Sequence, residues 1–85
     1  MPQAVNLQNI RKIIKNFLER ETGHKISGPK TDLAQKGILS SFNMFQLVDF
    51  IEKKFKIDVD ILTVNPDNFN SLESISKQIR LWMSK

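Results

Sequence analysis

The chain has 85 residues, a formal net charge of +4, no cysteine and one histidine. That length is one domain, 1–85 with a structured core over about 5–82, and 40% apolar with 26% charged residues is ordinary globular composition. Disulfides, cysteine-ligated zinc, iron–sulfur ligation and a protein thiol nucleophile are excluded, and His24 alone supplies no multi-histidine metal site. No run of about 20 apolar residues is present, so no membrane-spanning helix is expected. The N-terminal residues hold no long apolar stretch with a cleavage site, so a cytoplasmic location is expected.

The charge is uneven. Residues 1–39 carry seven basic groups (Arg11, Lys12, Lys15, Arg20, Lys25, Lys30, Lys36) against three acidic ones, whereas residues 40–85 carry six of each. The basic excess therefore belongs to the first half of the chain.

A first helix is expected over 5–22. Leu7, Ile10, Ile14, Phe17 and Leu18 recur at three and four residues, with Ile13 beside them, as an amphipathic helix requires. Asn6 is the expected N-cap and Gly23 the stop. Residues 23–39 read as a long connection punctuated by Gly23, Gly28, Pro29 and Gly37, with Leu33, Ile38 and Leu39 pinning it to the core. A stretch of that length without its own secondary structure is unusual in a small domain and is often functional.

The second helix opens at Ser40-Ser41, with Ser40 as N-cap. Its expected core stripe is Phe45, Val48, Ile51 and Phe55 with Leu47 adjacent. Phe42, Met44 and Phe50 fall outside that stripe, although Phe50 is also compatible with the core. After a loop through Lys56-Ile57-Asp58-Val59-Asp60, residues 61–64 suggest a short helix ended by Asn65-Pro66. The last helix is expected from Asn70, with Asn70 and Glu73 at capping-box spacing and Leu72, Ile75, Ile79 and Trp82 as its stripe. The fold class is thus all-α: a small four-helix bundle of three main helices and one short one, with a long first loop.

Enzymatic constellations are missing. The sequence has no Gly-rich phosphate loop, no paired histidines and no Ser–His–acid set. Asp49 and Glu52 share a helix face, the arrangement of an ordinary solvated surface pair, and His24 reads as a polar loop residue. What remains is a serine pair at a helix N-terminus. Ser at such a position is first of all a cap, but the partial positive charge and unpaired amides there also favour a phosphate ester.

The segment Gly37-Ile38-Leu39-Ser40-Ser41-Phe42 resembles the acyl carrier protein signature, G-(hydrophobic)-L-D-S-(L/M), which opens the second helix of that family. Phe45, Leu47, Val48, Ile51 and Phe55 stand at the family's apolar positions after the serine. Lys56-Ile57-Asp58-Val59 is similar to its F-G-(I/V)-x-(I/V) turn, and residues 68–75 are similar to the N-F-D-S-(I/L)-x-(A/S)-I start of its last helix. The resemblance covers roughly residues 5–82. It implies a four-helix carrier fold and no enzymatic activity of its own. It also implies attachment of 4′-phosphopantetheine, from coenzyme A, to Ser41 by a phosphopantetheinyl transferase. The thiol of that arm would carry acyl or aminoacyl groups as thioesters, delivered by a loading enzyme and passed to downstream enzymes of fatty-acid or secondary-metabolite synthesis. Such carriers are typically monomers.

Two positions depart from the family pattern. Ser40 stands where the family has Asp. The second helix carries only Asp49 and Glu52 as acids, unlike the acidic helix of fatty-acid-synthesis carriers, which points to cognate enzymes of a specialised pathway. Phe42, Asn43, Gln46, Asp49 and Lys53 are the expected partner-binding residues. Two alternatives stay open: a carrier-like protein-interaction module that is never loaded, and, less favoured, a small basic helical domain that binds nucleic acid through Arg11, Lys12, Lys15 and Arg20, joined by Lys25, Lys30 and Lys36.

Overall fold

The structure is a computed structural model describing residues 6–65 and 69–84, the side chains of Ser41 and Ile61 excepted. Among the described residues there are three α-helices, α1 (Leu7–Thr22), α2 (Ser41–Phe55) and α3 (Leu72–Met83), one 3-10 turn at Ile61–Thr63, and no strand. Val5, Asn68 and the Ser41 hydroxyl, on which parts of the sequence reading rest, lie outside the described residues.

α1 begins and ends as its sequence dictates. The Asn6 side chain accepts a hydrogen bond from the Asn9 amide at 2.8 Å. Gly23 adopts a left-handed conformation (φ 75°) and donates its N–H to the Glu19 carbonyl at 2.9 Å, which satisfies one of the last-turn acceptors. Ile10, Ile14, Phe17 and Leu18 are buried. α3 is the helix against which α1 packs most extensively, and it buries Leu72, Ile75 and Ile79. Trp82 is half-buried and lies against the fully buried Phe69, with ring centroids 5.8 Å apart. Ser76 is also buried on α3, and its hydroxyl has no hydrogen-bond partner among the described residues.

The long connection carries no helix or strand, so its backbone groups find partners in local turns and in the helices on either side. The Ile26 amide donates to Glu19 Oε2 at 2.8 Å. The Leu33 amide donates to the Asn70 carbonyl at 2.9 Å, and the Glu73 amide, at the start of α3, donates to the Pro29 carbonyl at 2.9 Å. Ile38 and Leu39 both donate to the Leu33 carbonyl, at 2.9 and 3.2 Å. Leu33, Ile38 and Leu39 are buried as expected, and Ile26 joins them. The connection is therefore stitched to the N-terminal end of α3.

Three expectations are corrected. The short fourth helix is a single 3-10 turn, so the α-helices among the described residues number three; the turn is closed by Thr63 N–H donating to the Asp60 carbonyl at 2.8 Å, and Pro66 disfavours helical continuation at the preceding Asn65. The cap of α3 is Ser71 rather than Asn70. The Ser71 hydroxyl accepts from the Ser74 amide at 3.1 Å, while the Ser71 amide donates to the Ser74 hydroxyl at 3.0 Å, a capping box with Ser74 in the usual Glu place. Asn70 is drawn off to the loop through its carbonyl. The third correction is Phe45 on α2, whose side chain is exposed.

α2 ends on Lys56, the only non-glycine residue with positive φ (56°) among the described residues. Its amide caps the helix on the Glu52 carbonyl. Glu52 then reaches forward: its Oε2 accepts from the Val59 amide at 2.8 Å, the same seven-residue clasp that Glu19 makes with Ile26. Removing that carboxylate in Glu52→Ala strands a part-buried amide and is expected to lower the unfolding free energy by about 1–2 kcal/mol in urea denaturation, with Glu52→Gln losing less. Lys56→Gly relieves the left-handed strain of a residue with a Cβ and is expected to raise stability by about 0.5–1 kcal/mol in thermal unfolding.

Candidate functional site

The candidate site is the N-terminal end of α2 and the helix face that leads away from it. Ser41 is the first residue of α2. Ser40, exposed and extended (φ −93°, ψ 176°), caps it by accepting the Asn43 amide at 3.2 Å, as the sequence predicts. The first turn of α2 contains no acidic side chain, so nothing there offsets the positive end of the helix dipole. The end is held in place from behind: Asn43 Nδ2 donates to the Ile38 carbonyl at 2.9 Å, and Leu39, directly before the cap, is buried. Asn43 is thus half-buried and engaged with the connection.

The outward face of α2 follows from the α-helical period. Phe42, Phe45, Asp49 and Lys53 succeed one another at three and four residues, with Gln46 four after Phe42 and three before Asp49, and all lie on one side. Phe42 is 70% exposed and Phe45 62% exposed. Phe45 belongs to this face because the core side of α2 is centred on Leu47 and Ile51, both fully buried, with Val48 beside them and Met44, Phe50 and Phe55 partly buried against the core. Two apolar stripes fit the sequence of α2, and the sequence reading chose the one that includes Phe45. Phe50, left outside that stripe, stacks on Phe17 of α1 with ring centroids 4.2 Å apart and planes 18° from parallel.

Gln46, Asp49 and Lys53 line a groove of about 470 Å³ beside this stack, together with Phe17, Glu21, Phe50 and Lys54. Asp49 and Lys53 form an exposed ion pair at 3.1 Å, so the two charges compensate and the face as a whole is close to neutral. Such a pair adds little stability. Asp49 and Glu52 do not act together: one is paired with Lys53, and the other is committed to the Val59 amide. That removes the carboxylate pair as a candidate for acid–base work. His24 is an exposed loop residue.

A second groove, of about 630 Å³, lies between α1 and the connection and is lined by Arg11, Lys12 and Lys15 among others. Arg20, Lys25, Lys30 and Lys36 are exposed and do not line it. Sequence reasoning missed Phe45 on the outward face, the exposed Leu62 of the 3-10 turn, and the two glutamate clasps. The Phe42–Phe45–Asp49 spacing is the signal that places Phe45 with Phe42.

No protein-family model matches the chain, and no curated protein matches it. Among the described residues no group of three or more His, Cys, Asp or Glu is placed to hold a metal ion, and no helix is long and apolar enough to cross a membrane.

The two sides of α2 are expected to respond differently to truncation. In urea unfolding, Phe45→Ser should change stability by no more than about 0.5 kcal/mol. Leu47→Ala should cost about 2–5 kcal/mol. The reverse order would show that the stripe containing Phe45 is the buried one.

Proposed function

We propose that this chain is a carrier protein that is loaded on Ser41 with 4′-phosphopantetheine and conveys acyl or aminoacyl thioesters between the enzymes of a specialised biosynthetic pathway. The observation that carries the reading is the helix start itself. Ser41 is the first residue of α2, directly behind a neutral cap and directly before a phenylalanine that is 70% exposed. The N-terminus of a helix suits a phosphodiester, because the amides and dipole there favour negative charge. Lys56 lends further support. Its left-handed backbone is the one that the glycine of the similar family turn adopts readily.

In the loading step the Ser41 hydroxyl oxygen forms the new bond to the pantetheine-side phosphorus of coenzyme A. The pyrophosphate P–O bond breaks, adenosine 3′,5′-bisphosphate leaves, and the serine proton passes to a base of the transferase. When bound, the arm supplies a terminal thiol that forms thioesters, chemistry that a chain without cysteine lacks. Ser40 caps the helix throughout, and Phe42, Phe45, Gln46, Asp49 and Lys53 offer partners a near-neutral aromatic surface. The partners are the transferase, the loading enzyme and the downstream enzymes. A surface of this kind matches apolar rather than strongly basic docking sites, so electrostatic steering contributes little to partner choice.

The exposed Phe42 and Phe45 also favour a second reading, an interaction module that uses the same face without being loaded. Incubation with coenzyme A and a broad-specificity transferase, followed by intact-mass measurement, separates the two. The carrier reading expects a gain of one phosphopantetheine that disappears in Ser41→Ala, persists in Ser40→Ala and is faster in Ser40→Asp. No gain in the wild type or in Ser40→Asp across several transferases would overturn it in favour of the unloaded module.

A further inference from the structure

The groove between α1 and the connection is walled on one side by Arg11, Lys12 and Lys15 and on the other by Ile26, Pro29 and Leu72, in a volume of about 630 Å³. None of its lining residues is acidic, aromatic or part of α2. The three cations make no ion pair among the described residues, where the salt bridges are Lys53–Asp49 and Lys77–Glu73. Glu19 stands four residues after Lys15, the spacing of a helical ion pair, but its Oε2 accepts the Ile26 amide at 2.8 Å and it does not line the groove.

We propose that this groove is a second docking surface, separate from the α2 face, that receives an acidic amphipathic segment of a partner protein. Carboxylates of the segment would meet Arg11, Lys12 and Lys15, and its apolar side would rest on exposed Pro29, with Ile26 and Leu72 beneath it at 3% exposure each. Charge complementarity selects the occupant's sign. The lack of any aromatic platform selects a peptide over single-stranded nucleic acid, whose bases need rings to stack on. The proposal goes beyond the carrier reading and does not depend on it, since it concerns the unloaded chain.

The test uses the full unloaded chain and, as probe, a synthetic amphipathic helical peptide of about 16 residues with Glu on one face and Leu on the other. Amide chemical shifts followed by NMR should move over residues 8–16 and 26–30 and stay fixed along α2. The groove variant Arg11→Gln/Lys12→Gln/Lys15→Gln should weaken binding about tenfold or more, while Lys36→Gln/Lys77→Gln/Arg80→Gln, with the same loss of charge, should change it by less than about twofold. Circular dichroism checks that both triple variants are folded. Three results would overturn the proposal: shifts confined to α2 or absent; equal losses in the two triple variants, which would mark a bulk-charge effect; or tighter binding of oligo-dT at the same residues, which would make the groove a nucleic-acid surface. Groove shifts that grow with protein concentration alone would assign it to a second copy of the chain and equally overturn the proposal.

Discussion

The segment between α1 and α2 is tied to the two helices it packs against at three points, and the rest of the molecule is arranged around those ties. Burying the amides and carbonyls of a connection unpaired would cost more than its apolar residues return. Here the Ile26 amide goes to Glu19, the Leu33 amide to the Asn70 carbonyl and the Pro29 carbonyl to the Glu73 amide, while Ile38 and Leu39 close internally on the Leu33 carbonyl. The N-terminus of α3 therefore does two jobs: it starts a helix and it ties down the loop. The N-terminus of α2 is positioned by the same scheme, through buried Leu39 and the Asn43 bond to Ile38. In the proposed carrier, the serine is presented by packing that lies mostly upstream of it.

The same local solution appears twice. Glu19 and Glu52 each sit four residues before a left-handed cap, accept the cap amide on their carbonyl, and close on an amide seven residues ahead with their carboxylate. In both cases the chain leaves the helix, turns through the left-handed residue and returns an aliphatic residue towards the core. The charge makes these bonds stronger than neutral ones.

Local signals were legible in the sequence wherever one residue acts alone. Asn6, Gly23 and Ser40 cap where their side chains or backbone freedom require, and the single-stripe helices α1 and α3 bury the residues that their spacing selects, apart from Leu7 and Trp82, which are half-buried. Legibility failed where two answers fit one pattern. α2 carries apolar residues nearly all round, so periodicity alone extends the stripe of Val48, Ile51 and Phe55 to Phe45 as readily as to Met44 and Leu47. Packing against α1, where Phe17 offers a ring for Phe50 to stack on, decides between them. The start of α3 was misplaced for a related reason: Asn70 and Ser71 are both good caps, and the demand of Leu33 for an acceptor takes Asn70 out of contention. The candidate site divides the same way, since its serine and cap follow from sequence while its aromatic face needed the fold.

What emerges is a separation of chemistries over a small surface. The outward face of α2 displays two phenylalanines and a self-compensated Asp49–Lys53 pair, so its attraction for a partner is dominated by apolar contact and changes little with salt. The groove on α1 displays cations with no ion pair among the described residues, so the partner proposed for it would be held electrostatically and released as salt is added. Neither surface includes a residue of the other. A protein handed from one enzyme to the next gains from such a division, because a partner gripping the basic groove leaves the end of α2 free for a second. Under the carrier reading, the positive charge that first suggested nucleic acid becomes a handle kept away from the serine, and the neutrality of α2 keeps that handle from competing with the docking face.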